Sequence, residues 1–256
     1  MTNTPAIHVL PTARIRQLRC PRCGNSFFPQ GTSAPPIECP VVGCNTAFDP
    51  DKLPTFHPDE PRKNFLIGTA TLHGQPVSTP LLFGRNEPGE IIVTGVEGNP
   101  DNLVIPDGFN GRAVMGVGPG ALRNQAQLHQ VTLPDTVARI GEEAFAGCTA
   151  LESVTFGSGL EQLDTACFRG CTALGSVTLP DKVASIGREA FAGCTSLTKA
   201  TLPGQLQDIR DGVFLQCEQL MELICPARPA LVAPAAFAGC YALPQEVQDA
   251  LFTNPQ

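Results

Sequence analysis

The apolar positions of the chain recur with one long period. LHQVTL (Leu128–Leu133), LESVTF (Leu151–Phe156), LGSVTL (Leu174–Leu179), LTKATL (Leu197–Leu202) and LMELIC (Leu220–Cys225) each place apolar residues at positions one, four and six. Such a segment reads as a short strand with alternate side chains turned into a core. A turn follows in LPDTV, LPDKV and LPGQL, where Pro fixes φ and Asp or Gly favours the bend. Then comes a second short extended piece, as in VARIG and VASIG. The unit closes with a compact phrase, AFAGC in three copies, which predicts a single helical or 3₁₀ turn. Aligned on its aromatic residue, this phrase gives Phe145, Phe168, Phe191, Phe214 and Phe237, each 23 residues apart. Three residues after each Phe stands a cysteine (Cys148, Cys171, Cys194, Cys217, Cys240), and three further on a leucine (Leu151, Leu174, Leu197, Leu220, Leu243).

A fixed period of this length predicts a solenoid, in which each unit buries its apolar face only against its neighbours. Equivalent residues then form ladders roughly 5 Å apart, the spacing of adjacent strands. Phe fills the wide side of the core. Cys is a small apolar filler where the turn is narrow, and the Gly before it permits a tight bend. The ladder cysteines are therefore expected to be buried reduced thiols. Upstream, Leu122 stands where Phe belongs and Gln125 where Cys belongs, as in a divergent terminal repeat. The stretch Val104–Leu122 reads as a first turn carrying an insertion of about five residues. Pro244–Phe252 starts with Pro and sets Val247, Leu251 and Phe252 at helical spacing, which predicts a capping helix.

The segments IPDGFNGRAVMGVG, LPDTVARIGEEAFAGCTALESV and LPDKVASIGREAFAGCTSLTKA resemble the BspA-like class of leucine-rich repeats over roughly residues 90–243. The resemblance implies a curved right-handed solenoid of α/β class, with a parallel sheet on one face and 23-residue repeats. It also implies a fold used at surfaces and in host interaction, with little constraint on activity. On the strands of such a sheet the residues between the core positions point outward. These are Gln130, Thr132, Ser153, Thr155, Ser176, Thr178, Lys199 and Thr201, continuing into Glu222 and Ile224. They are the candidate surface for a protein partner.

Four cysteines lie far from this array. Cys20 and Cys23 form a C-x2-C pair, and Cys39 and Cys44 a C-x4-C pair, with fifteen residues between the pairs. Two short Cys hairpins so spaced supply four thiolates for a tetrahedral ion. The segment resembles a zinc ribbon, with one structural zinc as cofactor; a rubredoxin-like iron would use the same sulfurs. A closed four-sulfur shell has no open position, and a module this short needs such a staple to fold.

Charge divides the chain at the same place. Residues 1–58 hold five basic and three acidic residues, about +2; the remainder holds 12 basic and 21 acidic, or −9, which sums to the formal −7. The overall balance disfavours a whole-chain nucleic-acid or anionic-membrane binder. Arg14, Arg16, Arg19 and Arg22 sit on the first Cys pair with Phe27 and Phe28 nearby, so the module carries either a solvated basic edge or a contact for DNA, RNA or protein. Three segments result: residues 1–58 as the ribbon, 59–89 as a linker with a β-hairpin around HGQP, and 90–256 as the solenoid. The N-terminus has no apolar core of a signal peptide and no stretch reaches membrane-span length, so a cytoplasmic protein is expected. The four histidines are scattered, and no phosphate loop or nucleophile motif is present. The sequence reads as a non-enzymatic interaction scaffold, with a nucleic-acid-associated regulator as the alternative.

Overall fold

The computed structural model describes residues 68–86 and 89–252, together with the backbone of four short strands nearer the N-terminus. It divides into two compact units, Met1–Ile67 with Ser78–Pro80, and Gly68–Val77 with Leu81–Gln256. In the first unit, β1 (Leu18–Arg19) pairs antiparallel with β2 (Ser26–Phe27), and β3 (Ile37–Glu38) with β4 (Ala47–Phe48).

The second unit opens with hairpins. β5 (Ala70–Leu72) and β6 (Gln75–Val77) pair antiparallel across His73–Gly74, which take φ of 51° and 75°. Positive φ at both central residues is the geometry of a two-residue hairpin turn. β7 (Leu81–Arg85) pairs antiparallel with β8 (Ile91–Val96). The expected hairpin is therefore Ala70–Val77 alone, and Leu81–Arg85 belongs to the next one. These strands share the compact unit of the repeats.

Two rows of parallel strands run through the repeats. One is built from the first strand of each unit: β9 (Asn102–Val104), β12 (Gln130–Thr132) and β14 (Ser153–Thr155) form one sheet. β16 (Ser176–Thr178), β18 (Lys199–Thr201) and β20 (Glu222–Ile224) form another. The partners are equivalent residues one repeat apart, such as Val131 with Val154. The other row starts at β8 and continues through β11 (Arg112–Val117), β13 (Arg139–Ile140), β15 (Gln162–Leu163) and β17 (Ser185–Ile186). β19 (Asp208–Ile209) and β21 (Leu231–Val232) pair in the same sense. The resemblance implied a sheet on one face; the chain has parallel pairing along two, because the VARIG-type pieces also ladder. The five-residue insertion is a hairpin in which β10 (Gly108–Phe109) folds back on β11 across Asn110–Gly111, with φ of 51° and 72°, and also pairs with β5.

The third side of each repeat is a turn. The expectation of an α/β class is corrected here: among the described residues the only α-helix is α1 (Gln245–Phe252), the cap foreseen at Pro244–Phe252. The AFAGC phrase cannot extend into a helix because left-handed residues interrupt it. In the second full repeat Glu143 has φ 51° and Gly147 φ 73°. Three short bonds fold this turn, from the amides of Ala144, Ala146 and Cys148 to the carbonyls of Gly141, Glu143 and Phe145. The alternate amides of Glu143, Phe145 and Gly147 donate onward to the carbonyls of Thr165, Cys167 and Arg169 in the following repeat, at 2.8–3.0 Å. The turns thus stack by a backbone ladder of their own.

The core lies inside this triangle. Phe145, Phe168, Phe191 and Phe214 are fully buried and Phe237 nearly so, and consecutive rings stack at 5.0, 5.4, 5.6 and 5.4 Å between centroids. Each such pair contributes about 0.5–1.5 kcal/mol beyond the burial of its area. Leu122, fully buried, holds the position of the Phe column one repeat before Phe145, and nearer the N-terminus Phe83 stacks on Phe109 at 4.3 Å.

Candidate functional site

The strand row presents the outward residues that its period requires. Gln130, Thr132, Ser153, Thr155, Ser176 and Thr178 are exposed, while Lys199 and Thr201 are half-buried. Between them Val131, Val177 and Ala200 point into the core. In-register pairing aligns Gln130 with Ser153, Thr132 with Thr155, Ser176 with Lys199, and Thr178 with Thr201. The result is two files of short hydroxyl and amide groups, uncharged through β16. Charge enters at its C-terminal end, where Lys199 Nζ meets Glu222 Oε1 at 2.8 Å. An exposed apolar residue stands at each end of the row, Val104 on β9 and Ile224 on β20. Short polar side chains lose little rotamer entropy on contact. Such a face suits a partner that brings its own larger side chains.

A second surface feature escaped the sequence reading. Arg123 Nη1 meets Glu143 Oε2 at 2.5 Å, Glu143 Oε1 meets Arg169 Nη2 at 2.9 Å, and Arg169 Nη1 meets Glu189 Oε2 at 3.4 Å. This chain of four charges ties successive turns along the surface. Its members are offset by 20 and 26 residues, not by the repeat length, so comparing equivalent positions does not reveal it. Arg139 adds a fork to Asp164, with Nε–Oδ2 at 2.9 Å and Nη2–Oδ1 at 3.1 Å. That bond holds the Arg139 guanidinium above its usual value.

The cysteine column is a row of buried free thiols. Sγ of Cys148, Cys171, Cys194, Cys217 and Cys240 donates to the carbonyls of Leu122, Phe145, Phe168, Phe191 and Phe214, at 3.0–3.3 Å. Burial pushes Cys148 up to about 11 and Cys194 up to about 12, and holds Cys171 well above the ordinary thiol value. Cys148, Cys171 and Cys194, so placed, are poor nucleophiles and poor metal ligands. Among the described residues no group of three or more His, Cys, Asp or Glu side chains is arranged to hold a metal ion. Cys20, Cys23, Cys39 and Cys44, and with them Arg14, Arg16 and Arg22, lie outside the described residues. Arg19 falls in β1. Among the described residues no helix is long and apolar enough to cross a membrane.

Parallel strands of L-x-x-L-x-L pattern, repeated every 23 residues around a filled core, define a leucine-rich-repeat solenoid. Residues 116–244 match the BspA type leucine rich repeat region in six copies, and the chain belongs to this family. It is similar in fold to a leucine-rich-repeat protein of T. pallidum, with 25% identity and a TM-score of 0.60, covering 69% of this chain and 95% of that one. A leucine-rich cell surface protein of Faecalibacterium prausnitzii is 24% identical with a TM-score of 0.52, over 62% of this chain and 41% of that one. The pneumococcal vaccine antigen PcpA is 18% identical with a TM-score of 0.50, over 66% and 44%. The chain thus spans less than half the length of these last two. Among curated proteins no match was found.

Proposed function

We propose that the protein is a non-enzymatic scaffold that binds a protein partner across the strand face of its solenoid, with the N-terminal module as a second contact or assembly point. Leucine-rich-repeat proteins generally serve protein–protein interaction, and the observation that carries the reading here is the uncharged double file on β12, β14 and β16. It is exposed and free of the Arg–Glu pairing that occupies the turn edge. Thr155→Arg with Thr178→Arg places two long charges in the middle of that face, where neither side chain has a core role. A partner isolated on the wild-type protein should lose most of its affinity for this variant, whose melting temperature stays near that of the wild type. Unchanged affinity would sink the strand-face reading.

We infer that Cys20, Cys23, Cys39 and Cys44 hold one structural zinc. Supporting this, Cys20 and Cys23 fall in the sequence between the paired strands β1 and β2, and Cys39 and Cys44 between β3 and β4. Two antiparallel hairpins, each with a cysteine pair in its connection, are what a four-thiolate site demands. Metal analysis should return one zinc per chain, and a strong chelator should leave the cooperative melt of the solenoid nearly unchanged, since its core contains no metal ligand. Absence of zinc would remove the ribbon.

The alternative, a nucleic-acid-associated regulator, is favoured by the basic run Arg14, Arg16, Arg19 and Arg22 in an otherwise acidic chain. It requires salt-sensitive binding of DNA or RNA by the full chain that is lost when the four arginines become serine. The reduced thiol column also suits a reducing interior such as the cytoplasm.

A further inference from the structure

We propose that Cys240, with Cys217 behind it, is a thiol–disulfide exchange site: it reacts with a small-molecule disulfide and closes to a Cys217–Cys240 disulfide that fastens the last repeat to the one before. The five column cysteines have equivalent positions but unequal surroundings. Cys148, Cys171, Cys194 and Cys217 have no exposed surface, whereas Cys240 retains 4%. Each of the first four is covered by the turn of a following repeat. After Cys240 the chain passes through Leu243 into α1, and among the described residues no further turn follows. A cavity of about 640 Å³ stands between the last turn and the start of the cap, lined by Phe237, Gly239, Cys240, Tyr241, Pro244 and Gln248. That volume is in the range of sites that take small molecules, about 300–1,000 Å³.

Behind this opening stands the equivalent thiol of the preceding repeat, Cys217. Cys217 and Cys240 hold equivalent places in consecutive repeats, and their thiols donate to the carbonyls of Phe191 and Phe214 at 3.1 and 3.0 Å. The neighbouring rings Phe214 and Phe237 stack at 5.4 Å, so equivalent residues of these two repeats stand one strand spacing apart. A disulfide spans Cα atoms about 4.4–6.8 Å apart, which includes that spacing.

The chemistry balances with the disulfide as oxidant. Cys240 thiolate attacks one sulfur of the disulfide, forming a mixed disulfide and expelling one thiolate, which takes up the proton that Cys240 released. Cys217 then gives up its proton and attacks the Cys240 sulfur, expelling the second thiol. Two protein thiols are oxidised and one disulfide is reduced to two thiols. An excess of a small dithiol reverses both steps.

The test uses the full-length protein and oxidised glutathione, followed by proteolysis and mass spectrometry without reduction. The expected product is a peptide pair joined through Cys217 and Cys240, lighter than the free pair by two hydrogens, with Cys171 and Cys194 unmodified. Cys217→Ser should instead accumulate a stable glutathione adduct on Cys240. Half-buried Cys225, outside the column, reports that the reagent is active. Modification of Cys225 while Cys240 stays free would overturn the proposal, and so would adducts on Cys171 or Cys194 as abundant as those on Cys240.

Discussion

The two ends of the solenoid are finished differently. At the N-terminal end β7 and β8 pair with each other and β8 joins β11, so the strand edge is occupied by the hairpin itself. The aromatic pair Phe83 and Phe109 is buried there, at 2% and 3% exposure. At the C-terminal end an eight-residue helix follows the last repeat, burying Leu251, whose carbonyl accepts a hydrogen bond from Arg228 Nη2 at 3.2 Å. A cavity remains beside Phe237, and Tyr241 is 85% exposed. Repeat arrays need terminal units that cover the core. The hairpin end does so with backbone pairing and stacked rings, the helix end with a few side chains. Residues in identical columns consequently experience different environments according to their distance from the C-terminus.

Position along the column should govern the cost of breaking it. Phe191 has stacked neighbours on both sides, so Phe191→Ala should destabilise by about 3–5 kcal/mol through a closed cavity. Phe237 stacks on one side only and borders an open cavity, so Phe237→Ala should cost clearly less. Denaturant unfolding of both variants decides this, and equal losses would show that the ends do not differ energetically. A smaller effect is expected at the turns. Gly193 takes φ 71°, and a Cβ there would meet only Gly170 backbone atoms at 3.7–3.8 Å. Gly193→Ala should therefore cost about 1–2 kcal/mol from backbone conformation alone. Gln216 already occupies the equivalent position near the C-terminal end with φ 58°, and Gln216→Gly should be stabilising or neutral. Least of all, Arg169→Ala removes two exposed ion pairs at once and should cost at most about 1 kcal/mol, a loss that fades in high salt.

Most of the repeat architecture was legible because its period repeats chemistry as well as spacing. The Phe, Cys and Leu columns, the outward Ser and Thr residues and the capping helix follow from single rows of the alignment of the chain with itself. The second parallel row was visible only as a short extended piece, since two-residue strands such as Arg139–Ile140 carry little pattern. The left-handed positions were half legible. Gly147, Gly170 and Gly193 announce themselves, but Glu143, Ala166 and Glu189 also have positive φ and no residue type that signals it. The stacked turns hold them there by onward bonds, from Ala166 to the Arg188 carbonyl at 2.8 Å for example. The Arg–Glu chain and the open cavity at Cys240 were illegible for a different reason. Both depend on which repeat meets which end, and a periodic reading treats all repeats as equal.

The alternation of amides in the turn makes its length a matter of parity. Odd members, such as Glu143, Phe145 and Gly147, speak to the next repeat; even members, such as Ala144, Ala146 and Cys148, close their own turn. Adding or removing one residue there would exchange the two roles and break both sets of bonds together. A repeat can therefore gain sequence only at its other corners, as the first one has done with the hairpin at Asn110–Gly111. Over evolutionary time this family can be lengthened by whole repeats or decorated at the strand-to-strand corner, while the AFAGC corner acts as a fixed reading frame.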